Sequence, residues 1–238
     1  MNSPVFKRLL LKLSGESLAG ELKVGINPEI LHHFAEEIKK VYDFGVEIGV
    51  VLGGGNIFRG LSAEAANMDR VAADHMGMLA TVINSLALRD MLVQKGIPAE
   101  VMSAIKMDEF AGHYVIRKAI ASLEERKVVI IAGGTGNPFF TTDTAAVLRA
   151  IEIQADVVLK GTRVDGVYNA DPETVEDAFK FDDLSYMEVV KKGLKVMDTT
   201  AITLAMENSL PIIVFNFNQT DNLKNIILGE SVGTKVQG

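Results

Sequence analysis

Strand-like and helix-like patterns of apolar residues alternate along the chain. Short apolar runs occur at 6–13, 46–52, 98–103, 127–132, 156–160 and 211–217, and most of them are continuous rather than alternating. Continuous apolar strands are buried on both faces, which is typical of parallel sheets covered by helices. Apolar residues at helical spacing fill most of the intervening segments. The pattern predicts an α/β fold, a three-layer αβα sandwich with a mostly parallel central sheet.

Two predicted helices have clear sequence signals. Asn27 and Pro28 are suited to the cap and the first position of a helix that ends near Gly45. A longer helix is predicted over 68–95. Nearly all of its apolar residues at helical spacing are expected to pack in the core: Met76, Leu79, Val82, Ile83 and Leu86. Further helices are predicted at 113–125, 144–154, 182–192, 198–208 and 221–228.

Composition and charge narrow the class of protein. The chain has 238 residues, 48% of them apolar, which fits one domain with a soft division near Gly133. No run of 18 apolar residues occurs, so no membrane span is expected. Cysteine is absent, which excludes disulfides and thiolate chemistry and fits a cytoplasmic location. The net charge is −7 and the basic residues are scattered, so nucleic acid is not an expected partner.

Three glycine-rich turns follow three of the predicted strands, at 13–16, 53–56 and 133–137. Ligands of open parallel sheets bind outside the carboxyl ends of the strands, where glycine lets backbone amides approach phosphate oxygens. A single turn of this kind is more often only a tight connection. Three turns at one edge favour a shared phosphate site. Neither a Walker A loop nor a G-x-G-x-x-G motif is present.

Charged residues adjoin these turns. Lys12 and Lys160 each stand near the end of an apolar strand, and Asp143 follows two threonines. Burying an ammonium group is costly without an anionic partner, and phosphoryl transfer needs cations on the β- and γ-phosphate oxygens. We therefore predict that Lys12 and Lys160 are catalytic and that Asp143 orients them. No protein metal cage is visible, so Mg²⁺ is expected to arrive with ATP.

A turn-rich segment at 165–172 follows Lys160. It is either a surface hairpin or part of a nucleotide pocket, with Tyr168 as an aromatic wall and Asp171 as a hydrogen-bond acceptor. The four histidines show no metal-ligand spacing, and we assign them no catalytic role.

The motifs in order are KLSGE, GGGN-x-x-RG, DHMGMLAT, GGTGNPFFTTD, DVVLKGTRVDGVYNADP and KVMD. Together they resemble the bacterial uridylate kinases of the amino-acid kinase superfamily, from about residue 6 to residue 233. KLSGE and the triple glycine also occur, in looser form, in carbamate, acetylglutamate and aspartate kinases. The resemblance implies the amino-acid kinase fold and transfer of the γ-phosphoryl group of ATP to UMP, in pyrimidine nucleotide biosynthesis.

The resemblance also implies site residues. It assigns the N-terminal half, to about 133, to UMP and the rest to ATP. The ATP-binding residues implied are Lys12, Leu13, Ser14, Gly15, Gly55, Arg59, Thr162, Tyr168 and Asp171. The UMP-binding residues implied are Gly54, Asp74 as the ribose contact, Thr135, Gly136, Asn137, Pro138, Phe139, Phe140, Thr141 and Thr142.

The resemblance further implies a homohexamer with the long helix in a dimer contact, inhibition by UTP and activation by GTP. The stretch that carries basic residues in relatives includes Glu100 here, which disfavours activation by GTP. One alternative function is phosphorylation of a carboxylate or carbamate by another member of the superfamily. A second is a non-catalytic nucleotide-binding protein, which the presence of Lys12, Asp143 and Lys160 disfavours.

Overall fold

The computed structural model describes residues 3–58, 67–172 and 174–238. Its strands are β1 (Arg8–Leu13), β2 (Glu47–Leu52), β3 (Ala99–Ser103), β4 (Gly112–His113), β5 (Val128–Ala132), β6 (Val157–Thr162), β7 (Val167–Tyr168), β8 (Lys180–Phe181), β9 (Asp183–Ser185), β10 (Ile212–Asn216) and β11 (Thr234–Gln237). Among these residues, nine strands form one sheet in the order β4-β3-β5-β2-β1-β6-β10-β11-β9, while β7 and β8 form a separate hairpin.

The sheet is parallel throughout except where β10 meets β11. Strand β1 lies at its centre, paired with β2 on one side and β6 on the other. The prediction of a mostly parallel α/β sheet is confirmed. The carboxyl ends of β5, β2, β1 and β6 are neighbours, so the three glycine turns do share one edge of the sheet.

The helices are α1 (Gly15–Ala19), α2 (Pro28–Asp43), α3 (Arg70–Gln94), α4 (Ile116–Glu124), α5 (Thr142–Glu152), α6 (Tyr186–Lys192), α7 (Thr199–Glu207) and α8 (Asn222–Ile227), with a 3₁₀ turn at Gly20–Leu22. Successive side chains of β1 point to opposite faces of the sheet, so they belong to two separate hydrophobic cores. Leu9 and Leu11 pack with α2, α3 and α8 on one face, whereas Leu10 packs with α4, α5, α6 and α7 on the other. The three layers are therefore helices, sheet and helices.

The buried face of α3 differs from the prediction. Val82 is only 5% exposed, but Met76, Leu79 and Ile83 are 40%, 51% and 50% exposed. The expectation that nearly all of this apolar stripe packs in the core was wrong. Much of its inner face consists of small or polar residues, with Asn84 and Ser85 fully buried. An apolar stripe thus lies on the outer face, where no other described element covers it.

Several boundaries also differ. Helix α5 begins at Thr142, two residues before the prediction, because the Thr141 side chain caps it by accepting from the backbone N–H groups of Asp143 and Thr144. The segment predicted as one helix at 182–192 begins with strand β9 instead. The short elements β4, β11 and α1 were not predicted.

Helix α3 is also the one described helix long and apolar enough, by length and composition alone, to cross a membrane. Its most apolar window has a mean hydropathy of 1.3, and 44% of that window is buried inside the protein. A core helix meets the same two criteria, so the finding is weak evidence for a span.

Candidate active site

Two lysines and one aspartate meet at the carboxyl edge of the sheet. Lys12 and Lys160 are register partners on the adjacent parallel strands β1 and β6, so their side chains leave the same face. That face is covered by α5, whose first turn carries Asp143. The Lys12 Nζ lies 2.6 Å from Asp143 Oδ1, and the Lys160 Nζ lies 2.8 Å from Asp143 Oδ2. One carboxylate therefore bridges both ammonium groups.

Burial and charge act against each other in this triad. Burial tends to raise the pKa of the Asp143 carboxyl, but the ammonium groups of Lys12 and Lys160 hold that pKa below its ordinary value. Burial lowers the pKa of Lys160, and Asp143 offsets this only in part. The triad itself carries two cations and one anion, and the nearby Asp198 carboxylate offsets part of its positive charge. Two ammonium groups beside the glycine turns are suited to an anionic ligand such as a polyphosphate.

Asp198, in the KVMD segment, contacts the threonines near Asp143 and so supports the triad. No role in the site was assigned to it from the sequence. Its carboxylate accepts from the hydroxyl groups of Thr141 and Thr144, the latter at 2.8 Å, and it also caps α7. The Lys160 Nζ donates to the backbone carbonyl of Val196 at 2.5 Å. The sequence showed Asp198 only as a helix start, because its partners lie more than 50 residues away.

Polar side chains on the inner face of α3 hold two of the glycine turns. The Asn84 amide donates to the Gly53 carbonyl at 2.7 Å, and the Thr81 hydroxyl accepts from the Gly133 N–H at 2.9 Å. Gly54 packs so closely on this helix that a Cβ would lie 2.8 Å from the Gly77 carbonyl oxygen. A larger residue at 54 would push α3 away from the sheet.

A cleft of about 580 Å³ opens between α3 and these turns, and we call it the α3 cleft. It brings together residues from both halves of the chain: Gly54, Gly55, Phe58, Ala73, Asp74, Gly77, Met78, Thr81, Gly134, Thr135, Phe140, Thr141 and Thr142. Of the residues predicted to bind UMP, Gly136, Asn137, Pro138 and Phe139 do not line it. They belong to the loop that connects its lining residues.

Asp74 lies in the α3 cleft and has protein partners of its own. Its carboxylate accepts from the Arg70 Nε at 2.9 Å and from the Phe139 backbone N–H at 2.7 Å. The Arg70 guanidinium also lies over the Phe139 ring, 5.5 Å from its centroid. Asp74 thereby joins α3 to the 135–142 loop, a link that the sequence did not indicate.

A second cleft, the hairpin cleft, has about 900 Å³ of empty space beside the β7–β8 hairpin. Tyr168 and Asp171 line it, as do residues 192–195 at the end of α6. The Tyr168 hydroxyl donates to Asp165 at 2.6 Å. Thr162 does not line this cleft. It ends β6, and its hydroxyl donates to the Val164 carbonyl at 2.6 Å.

The remaining predicted residues lie around the triad. Leu13 is buried at the end of β1, Ser14 precedes α1, and Gly15 is the first residue of that helix. Gly55, predicted on the ATP side, lines the α3 cleft and contacts α1 near Glu16. Arg59 lies outside the described residues.

No group of three or more histidines or acidic residues that could hold a metal ion occurs among the described residues. The triad itself does not provide one, because Lys12 and Lys160 pair with both oxygens of Asp143. A metal at this site would therefore be held mainly by oxygen atoms of a ligand.

These features define the class of protein. Residues 7–216 match the sequence profile of the amino acid kinase family, and the chain belongs to that family, among the uridylate kinases. It is 57% identical to the uridylate kinase of Phocaeicola vulgatus over 231 residues, which cover 97% of this chain and 98% of the relative.

Solved structures agree with this placement. A UMP kinase from Bacillus anthracis is 42% identical with a TM-score of 0.94, covering 98% of this chain and 96% of that one. A UMP kinase from Ureaplasma parvum is 34% identical with a TM-score of 0.91, and each chain is covered completely.

Proposed function

We infer that this protein is a UMP kinase, which transfers the γ-phosphoryl group of ATP to UMP and gives UDP and ADP. The observation that carries the inference is the position of the triad of Lys12, Lys160 and Asp143. It stands at the carboxyl edge of the sheet, next to the α3 cleft and on the same side as the turns of β1 and β2. The acceptor, UMP, is inferred from the names of the relatives, which are uridylate or UMP kinases.

The two clefts take different substrates in this proposal. UMP lies in the α3 cleft, with its ribose on Asp74 and its phosphate toward the Gly54–Gly55 turn. The adenosine of ATP lies in the hairpin cleft, with Tyr168 against the base and Asp171 on the ribose. Because the α3 cleft is lined on both sides of residue 133, the acceptor half of the chain extends to about 142.

The triad is proposed to act on the phosphates. Lys12 and Lys160 place positive charge where the transferring phosphoryl group develops negative charge, and Asp143 fixes the direction of both side chains. Mg²⁺ bound to the ATP phosphates supplies further charge neutralisation.

An assay of ADP release with UMP, CMP, acetylglutamate and carbamate tests the proposal. UMP is expected to give the highest kcat/KM. Equal or better turnover of CMP would contradict the acceptor assignment. Turnover of acetylglutamate or carbamate alone would favour the alternative reaction of the superfamily.

Changing Asp74 to asparagine is expected to raise the KM for UMP by about tenfold or more, since hydrogen bonds to a charged group contribute about 1.5–3 kcal/mol each. The KM for ATP is expected to change little, because the hairpin cleft lies outside the reach of this side chain. Steady-state kinetics with each substrate varied in turn would measure both constants.

Asp69→Asn is the matched control for this substitution. Asp69 caps the same helix by accepting from the Ala72 N–H at 3.0 Å, and asparagine caps helices about as well as aspartate. Both KM values should therefore stay unchanged. If Asp74→Asn raised only the KM for ATP, the two clefts would have been assigned the wrong way round.

We propose inhibition by UTP and a weak response to GTP. UTP shares the uracil and ribose of UMP and can use the α3 cleft, with its extra phosphates toward Lys12. Glu100 lies with Arg89 and Lys118 around a separate surface cleft, where a carboxylate opposes a triphosphate by like-charge repulsion. Activation of several-fold by millimolar GTP at sub-saturating UMP would contradict this proposal.

We also propose that the protein is a homo-oligomer, which the family resemblance predicts to be a hexamer. We further propose that it works in the cytoplasm, where ATP and UMP are available. The exposed apolar residues Met76, Leu79 and Ile83 on α3 support a contact between copies, because monomeric proteins seldom expose such a stripe. Light scattering of the purified chain would measure the assembly, and a monomer would contradict it. Recovery in the membrane fraction of lysed cells would contradict the location.

A further inference from the structure

A buried arginine contacts the backbone of the α3 cleft wall from the side that faces away from the cleft. Arg149 lies on α5 and is 5% exposed. One of its terminal nitrogens, Nη2, donates to the Gly134 carbonyl at 3.1 Å, and the other, Nη1, donates to Glu152 at 2.7 Å. Gly134 lines the α3 cleft. The arginine itself does not line this cleft.

Two further residues fix the guanidinium in place. Its Cζ stands 4.3 Å from the centroid of the Tyr114 ring, and the Tyr114 hydroxyl donates to the same Glu152 oxygen at 2.9 Å. A planar guanidinium can lie flat on a ring and still donate from separate nitrogens in fixed directions. The direction of the bond to Gly134 is therefore set by Tyr114 and Glu152.

The turn at 133–136 is held from both sides. Helix α3 accepts from the Gly133 N–H through Thr81, and α5 donates to the Gly134 carbonyl through Arg149. Gly133, Gly134 and Gly136 have φ values of 77°, 60° and 81°, a region that glycine adopts freely. A turn built from such residues has little conformational preference of its own, so its position depends on its contacts, and these two hold it from opposite sides.

We propose that Arg149 is a positioning residue for the acceptor nucleotide, a role that rests on the proposed function. It ties the cleft wall at Gly134 to the helix that carries Asp143, six residues earlier along α5. The acceptor side of the cleft and the two lysines are thereby held in one frame. Arg149 touches neither substrate and acts through the turn.

The experiment compares Arg149→Lys and Tyr114→Phe with the unaltered chain. Lysine keeps the charge but offers one point-like ammonium group, which cannot lie on Tyr114 and serve both Glu152 and Gly134. We expect the KM for UMP to rise about tenfold in Arg149→Lys, as for loss of one charge-assisted hydrogen bond, while the KM for ATP stays within about twofold. Tyr114→Phe keeps the ring and removes one hydrogen bond, so a smaller rise of about threefold is expected.

The chain offers a matched control in Arg126. Its guanidinium also stacks on a tyrosine, 4.7 Å from the Tyr42 centroid, and donates to a backbone carbonyl, that of Tyr42, at 2.7 Å. This pair lies at the amino end of β5, on the edge of the sheet opposite the clefts. Arg126→Lys should leave both KM values unchanged, whatever it does to the thermal midpoint.

The outcomes separate positioning from general stability. A lower thermal midpoint in Arg149→Lys with an unchanged KM for UMP would overturn the proposal, and so would an equal rise in both KM values. If Arg149→Lys does not fold, Tyr114→Phe decides by the same two KM values. If the unaltered chain does not turn over UMP, the proposed function itself is overturned. The ratio of KM values between a variant and the unaltered chain does not test that function.

Discussion

Replacing Lys12 with alanine is expected to lower kcat by about 10²-fold or more, the usual effect of removing one preorganised electrostatic group from a reacting centre. The Lys12 ammonium is buried beside Asp143 at the end of the central strand, so no water molecule or mobile lysine replaces it easily. The positive charge of Lys12 is expected to stabilise the transition state of phosphoryl transfer more than the bound substrates. The loss should therefore appear in kcat at saturating ATP and UMP, more than in either KM.

Lys7→Ala provides the control for this experiment. The Lys7 side chain is 77% exposed at the amino end of the same strand, and its ion pair with Glu47 is long, at 3.8 Å, so solvent screens it and it contributes little. Its kcat should equal that of the unaltered chain. A near-normal kcat in Lys12→Ala would refute the proposed role of that lysine.

Replacing Asp143 with asparagine is expected to affect both activity and stability. The change leaves two buried ammonium groups without their shared carboxylate, and breaking a buried ion pair costs about 3 kcal/mol or more. In a protein of this size, that corresponds to a fall of about 6–12 °C in the thermal midpoint. The lysines would also lose their fixed direction, so we expect kcat to fall by about 10²-fold.

The pH dependence of the unfolding free energy tests the prediction for Asp143→Asn. Because folding lowers the pKa of Asp143, its stabilising contribution is present above the ordinary aspartate pKa and is lost as the pH falls through the lowered value. The difference in unfolding free energy between the two chains should therefore shrink in acid. Asp43→Asn, which removes an exposed partner of Lys39, should show no such difference at any pH. An Asp143→Asn chain as stable and active as the original would contradict the bridging role.

The residue pattern alone determined the class of fold and the edge of the sheet that carries the candidate site. Continuous apolar strands can be buried on both faces only if helices cover both sides, and glycine turns after successive strands must then share the carboxyl edge. The helix cap at Asn27 was likewise predictable, because its partners are two and three residues away. Local signals of this kind are complete within a few residues of sequence.

Only the tertiary structure decided which of these residues meet. Lys12, Asp143 and Lys160 come together because β1 pairs with β6 and α5 crosses the face to which both lysines point. The contacts of Asp198 with Thr144 and of Arg149 with Gly134 depend on the same packing. The outward face of α3 was misjudged for the same reason, since a helix with apolar residues on two sides does not reveal which side the sheet will cover. A hydrogen bond between residues distant in sequence leaves no periodic signal, so its existence follows only from the folded arrangement.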